Sequence, residues 1–212
     1  MEPLKRIAAV AAPLYRANID TDVIIPSREM KTVSKSGLAD GMFAGWRYTE
    51  PGSRTPRGDF ILNRPAYAGA RILVAGPNFG CGSSREHAVW ALSEYGFRVI
   101  IAPSFGSIFH NNCIRNGILP VVLDDGTVRD LADRLKTDTD ADTDPDAITL
   151  TVDLDRQRIE QTGRDAIPFT IAPQHREMLL NGWDVIDLSL SRADDIDAFE
   201  ARDRQVRPWA YL

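Results

Sequence analysis

The chain predicts an α/β fold with a parallel βαβαβ portion, and three observations predict it. Short apolar runs rich in β-branched residues recur at Arg71–Ala75, Arg98–Ala102 and Ile118–Leu123. Helix-forming stretches separate them. Ala88, Ala91, Leu92 and Tyr95 follow the i, i+3, i+4, i+7 spacing of a helix face. Strands that alternate with helices favour a parallel sheet with right-handed crossovers.

The elements can be justified in order. Lys5–Tyr15 reads as a strand with a mixed face. Asn18–Asp22 is turn-like, and Val23-Ile24-Ile25 reads as a short strand stopped by Pro26. Residues 27–70 are irregular and rich in Gly, Pro and Arg; a segment this long is usually functional or carries short elements of its own. The first long helix runs from Glu86 to Tyr95, with Gly96 as its C′ residue. Pro103 and Ser104 open the second, with Phe105, Ile108 and Phe109 on one side and Gly117 at its end. Asp130–Lys136 reads as a short helix, Ile148–Asp153 with Arg158–Gln161 as a β-hairpin, and Gln174–Trp183 as a further helix. Thr137–Ala147 alternates five aspartates with small residues, but no frame places Gly and Glu as a calcium loop needs, so a solvated loop is expected. The charged tail from Ala193 carries Trp209 and Tyr211 near its end.

Composition bounds the function. With 212 residues, 43% of them hydrophobic, the chain can build one sizeable core. A net charge of −5 argues against nucleic acid as the main partner. No run of 18 apolar residues exists, so no membrane span is expected, and Ile7–Ala12 is shorter than a secretory signal core. The expected compartment is the cytoplasm. Cys81 and Cys113 make no disulfide framework, and two thiols are too few for an iron–sulfur cluster, which takes three or four. No metal site is expected in this chain.

Gly76-Pro77-Asn78-Phe79-Gly80-Cys81-Gly82-Ser83-Ser84-Arg85-Glu86-His87 is the most informative stretch. It is a glycine-rich loop between a strand and a helix N-terminus, where free backbone N–H groups and the positive dipole end favour an anion. The dinucleotide fingerprint fails because Arg85 stands where the last glycine should be, and neither a P-loop nor a Gly-x-Ser-x-Gly elbow fits. The stretch predicts a small-carboxylate site with Ser83 as base. Ser83-Ser84-Arg85-Glu86 also has the form of a capping box, in which Ser83 would contribute only about 1 kcal/mol to the helix. Two serines with an adjacent arginine, and glycines that let a ligand approach, favour the site.

Gly-x-Gly-Ser-Ser-Arg-Glu-His at 80–87 resembles the mobile-domain signature of the aconitase superfamily. Asn18-Ile19-Asp20-Thr21-Asp22-Val23-Ile24-Ile25-Pro26 resembles the opening motif of 3-isopropylmalate dehydratase small subunits, as does Ser104–Cys113 continuing through Asn116–Pro120. Order and spacing agree over nearly the whole length. The resemblance implies a swivelling β/β/α three-layer domain spanning 1–212, with the acidic loop at about 137–147 and the charged tail at about 193–212. It implies a separate large subunit holding a [4Fe-4S] cluster, and the isomerisation of 2-isopropylmalate to 3-isopropylmalate in leucine biosynthesis. It makes the serine matching Ser83 an alkoxide base. Ser84, Arg85 and Gly82 would bind substrate, and Asp20, Thr21 and Asp22 would hold the fold or the subunit interface. The segment Met30–Gly37 would shape the side-chain pocket through Lys31, Thr32 and Val33, with Lys31 or Arg28 meeting a distal carboxylate. Its Ser27-Arg28-Glu29-Met30 start differs from the more apolar start of leucine-pathway members, so homoaconitate, 2-methylmalate/citraconate and dimethylmalate remain alternative substrates. A non-catalytic carboxylate-binding module is the alternative of another class.

Overall fold

The computed structural model describes residues 1–30, 34–136 and 146–211. Among them a seven-stranded sheet runs in the order β4-β3-β2-β1-β5-β6-β7. The strands are β1 (Arg6–Leu14), β2 (Ile72–Ala75), β3 (Val99–Ala102), β4 (Leu119–Val122), β5 (Thr149–Asp153), β6 (Arg158–Glu160) and β7 (Ile167–Pro168). β1 to β4 are parallel, as the alternation of strands and helices predicts. β5, β6 and β7 add an antiparallel half.

β1 joins the two halves and explains its own mixed face. Its first part, Arg6–Val10, pairs antiparallel with β5, and its second part, Ala11–Leu14, pairs parallel with β2. Only the second part is continuously buried. β2 and β3 are buried at every position, the pattern of parallel strands covered on both faces.

The helices are α1 (Thr21–Ile24), α2 (Ala44–Arg47), α3 (His87–Tyr95), α4 (Ser107–Arg115), α5 (Asp125–Arg134), α6 (Pro173–Asn181), α7 (Val185–Leu190) and α8 (Ala193–Val206). Val23-Ile24-Ile25 is not a strand. Asp20 accepts a hydrogen bond from the Val23 N–H at 2.7 Å and caps the single turn of α1, so a local cap overrides the β preference of three branched residues. α4 starts at Ser107 rather than at Pro103, because Phe105 forms a parallel bridge to Phe79. Phe109 is buried, yet Ile108 is half exposed and lies off the packed face. α5 starts five residues before Asp130, where the Asp124 carboxylate accepts the Thr127 N–H at 2.9 Å. The charged tail folds as α8, with no buried residue. Residues 137–145 of the acidic stretch lie outside the described residues.

Among the described residues of 27–70 there are one-turn helices and no strand longer than an isolated bridge. Two carboxylates hold the beginning of this region. Buried Glu29 takes the Arg54 guanidinium at 2.7 Å. Glu94, in the last turn of α3, accepts the backbone N–H groups of Gly37, Leu38 and Ala39. Burial raises the Glu94 carboxyl, but the three amides outweigh it and hold it below its ordinary value. This contribution is therefore present above the ordinary carboxylate range and is lost as pH falls through the lowered value.

Candidate active site

The carboxyl ends of β1, β2 and β3 lead into three loops, and these carry the three motifs singled out in the sequence. In parallel sheets this edge is where ligands bind. The loops are tied to one another. The Gly80 N–H donates to the Ile19 carbonyl at 2.7 Å, and the Thr21 N–H donates to the Cys81 carbonyl at 2.9 Å. Phe79 exchanges bonds with the third loop: its N–H donates to the Ser104 carbonyl at 3.0 Å, and its carbonyl accepts the Gly106 N–H at 2.9 Å. Phe79 also packs edge-on to Phe109, with centroids 5.4 Å apart.

Gly80 shows why this loop needs its glycines. Its φ is +71°, and a Cβ there would lie 2.2 Å from the Phe109 ring. Gly80→Ala is expected to cost about 2–4 kcal/mol from the left-handed backbone and the overpacked ring together. A thermal melt of the subunit should fall by roughly 5–15 °C.

Ser83 sits at the end of the loop, half-buried. Its own N–H donates to Thr21 Oγ1 at 3.0 Å, which fixes the backbone without using the Ser83 hydroxyl. Ser83 Oγ accepts two hydrogen bonds from one residue, from the Arg85 N–H at 3.2 Å and from Arg85 Nε at 3.1 Å. Arg85 Nη2 reaches Asp22 Oδ1 at 3.3 Å. Two donors, one of them cationic, converge on one serine oxygen, the arrangement that stabilises an oxyanion there.

The capping box does not form. α3 begins at His87, its N-cap is Glu86, and no side chain caps it. The Ser83 hydroxyl is engaged with Arg85 instead. Gly82 (φ +101°) and Ser84 are exposed beside it, and the Ser84 carbonyl accepts from Asn112 Nδ2 at 3.4 Å. The structure thus brings Gly82, Ser83, Ser84 and Arg85 together. Lys31, Thr32 and Val33 lie outside the described residues. Arg28 is turned to its neighbour, with its Nε 3.5 Å from the Glu29 carboxylate. Cys81 is half-buried in the same loop.

A narrow crevice opens beside Ser83 and Arg85, lined also by Thr21, Asp22, Ile25, Met30, His87 and Ala88. Sequence reasoning assigned Asp22 to the fold or an interface and did not pair it with Arg85. The signal was available as opposite charges in two neighbouring motifs. Asp22 holds the guanidinium whose Nε contacts Ser83. Asp22→Asn is expected to lower kcat/KM by about fivefold, the ~1 kcal/mol of an exposed charge pair, and steady-state kinetics of the assembled enzyme would read it. His87 packs on Trp90 at 4.8 Å, and its buried Nδ1 has no hydrogen-bond partner.

A metal centre finds little here. Among the described residues no group of three or more His, Cys, Asp or Glu is placed to hold a metal ion. Burial pushes the Cys113 thiol well above its ordinary value, away from the thiolate a cluster requires. The donor set of this chain does not fit an iron–sulfur cluster. No helix among the described residues is long and apolar enough to cross a membrane.

Comparison with known proteins identifies the family. Residues 1–126 match the family model of the aconitase C-terminal domain, and residues 186–211 match that of the C-terminal domain of the 3-isopropylmalate dehydratase small subunit. The chain is 55% identical to the 3-isopropylmalate dehydratase small subunit of Cupriavidus necator, over 100% of this chain and 99% of that one. It is 50% identical to the protein of the same name from Rhodospirillum centenum, over 99% of each. A crystal structure of 3-isopropylmalate dehydratase from Methanocaldococcus jannaschii superposes with a TM-score of 0.61 at 26% identity, covering 92% of this chain and 99% of that one. The chain belongs to the family of 3-isopropylmalate dehydratase small subunits, within the aconitase superfamily.

Proposed function

We propose that this chain is the catalytic small subunit of a hydro-lyase that converts 2-isopropylmalate to 3-isopropylmalate by dehydration and rehydration, and that it acts only with a large subunit. The observation that carries the reading is the Ser83 oxygen under two Arg85 donors at the carboxyl edge of the parallel sheet. It stands in a chain about half identical, over full length, to proteins of that name. The large subunit is the partner, and the [4Fe-4S] cluster belongs there, since the donors of this chain do not fit it. The compartment is the cytoplasm, and no nucleic acid or membrane takes part.

Ser83 serves as the base. A free serine hydroxyl is far too weak an acid to act at neutral pH, so the alkoxide must be stabilised where it forms. The Arg85 backbone N–H and Nε supply two hydrogen bonds to that oxygen, and the nearby N-terminus of α3 adds the positive end of its dipole. Ser83 Oγ takes the C–H proton beside a carboxylate as hydroxide leaves the neighbouring carbon. An unsaturated diacid results. Water then adds in the other orientation, and Ser83 Oγ returns a proton to the carbon that had carried the hydroxyl. Arg85 offers its guanidinium to a substrate carboxylate while Asp22 keeps hold of Nη2. Ser84 donates a further hydrogen bond, and exposed Gly82 lets the substrate approach the backbone.

The test is an anaerobic assay of the subunit alone, the large subunit alone and the mixture. Each is offered 2-isopropylmalate, citraconate and homoaconitate. Turnover of 2-isopropylmalate only in the mixture is the expected result. Turnover of another acid alone would move the chain to a different substrate. No turnover in any mixture, with tight acid binding by the isolated subunit, would make it a binding module.

A further inference from the structure

We infer that His87 is a further substrate-binding residue: its imidazole Nδ1 hydrogen-bonds the carboxylate that Arg85 receives, and the fold holds the ring ready for that bond. The inference rests on the proposed function and deepens it.

His87 stands at the first position of α3, two residues after Arg85, and both line the crevice beside Ser83. Its Nδ1 is buried and, among the described residues, has no hydrogen-bond partner. A buried polar atom left unpaired destabilises a fold, whereas an apolar ring of the same shape would not. Packing alone therefore gives this position no reason to be histidine. The crevice encloses only about 10 Å³, at the lower limit for one water, so its walls must part when an acid enters. That parting gives Nδ1 its partner.

The ring is supported from behind. Trp90 packs against it, with centroids 4.8 Å apart and planes tilted by 49°. Trp90 Nε1 donates to Asn116 Oδ1 at 3.1 Å, Asn116 Nδ2 donates to the Asn112 carbonyl at 2.8 Å, and Asn112 Nδ2 donates to the Ser84 carbonyl at 3.4 Å. These contacts leave α3, cross to α4 and its C-terminal end, and return to the loop that carries Ser83. Outer contacts of this kind fix the geometry of a binding group. The corner also suits an anion. Arg85 brings a positive charge, and the N-terminus of α3 has no side-chain cap. Nδ1–H donates to a carboxylate oxygen there. The hydrogen bonds of Ser83 and Arg85 involve no atom of His87. Replacing the ring leaves the base in place, so the effect belongs to binding rather than to the chemical step.

The decisive variant is His87→Phe, which keeps a ring on Trp90 and removes the nitrogens. In the complex with the large subunit it should raise KM for 2-isopropylmalate by about tenfold, the loss of a hydrogen bond to a charged group, with kcat within about threefold. The isolated variant should melt at or above the wild-type temperature, because the unpaired nitrogen is gone. His87→Asn places an amide where Nδ1 stands and should hold KM within about threefold of wild type, whereas His87→Ala should match the phenylalanine variant. This second pair carries the measurement if the phenylalanine variant does not fold. An unchanged KM in His87→Phe would overturn the inference and leave His87 as a packing residue. So would a lowered melting temperature in His87→Phe, or an equal KM in the asparagine and alanine variants. A wild-type complex inactive on 2-isopropylmalate would instead overturn the proposed function.

Discussion

Ser83→Ala is expected to lower kcat by about 10²–10⁴-fold, the usual contribution of a positioned general base. Subunit assembly and melting temperature should stay at the wild-type values. Among the described residues the hydroxyl is bonded only to Arg85, whereas the backbone of residue 83 is held by its N–H on Thr21, which alanine keeps. No helix cap is lost, because α3 uses none. Rates of the reconstituted complex, with size-exclusion and thermal melts of the variant, check both halves of the statement. A rate within a few-fold of wild type would reduce Ser83 to a loop residue.

Arg85→Lys should lower kcat/KM by about 10²–10³-fold, the cost of losing a preorganised donor to a developing oxyanion. The guanidinium does two things at once: Nε donates to Ser83 Oγ, and Nη2 meets Asp22. An ammonium is a single point and cannot keep that planar fork. The backbone N–H of residue 85 still reaches Ser83 Oγ in the variant, so a residual rate should remain. Steady-state kinetics separate the contributions. A fall in kcat reports support of the base, and a rise in KM reports the grip on the carboxylate. An unchanged kcat and KM would take Arg85 out of the site.

The parallel half of the fold was legible because its strands are fully apolar and its helices keep a helical period, two patterns that differ over a few residues. The loop that carries the proposed site stood out for a related reason, since its glycines and its Ser-Ser-Arg sequence are more than a plain turn needs. Local contests were less legible. Val23-Ile24-Ile25 looks like a strand until the Asp20 cap is weighed against it. Ser83 and Glu86 have the spacing of a capping box, but the hydroxyl is taken by Arg85 and the helix starts later. Pairings across the fold leave almost no local trace. Glu94 is 55 to 57 residues from the amides it holds, and Asp22 is 63 from Arg85. The antiparallel half hangs on a single strand that changes partner midway, which a mixed hydrophobic face only hints at.

The most direct test of the account is proton exchange. The assembled enzyme is incubated with 2-isopropylmalate in D₂O, and deuterium in the recovered acids is followed by mass spectrometry. The wild type should incorporate deuterium as it turns over, and Ser83→Ala should incorporate none above background while still binding the acid. Exchange by Ser83→Ala at the wild-type rate would contradict the assignment, for it would mean that another group removes the proton.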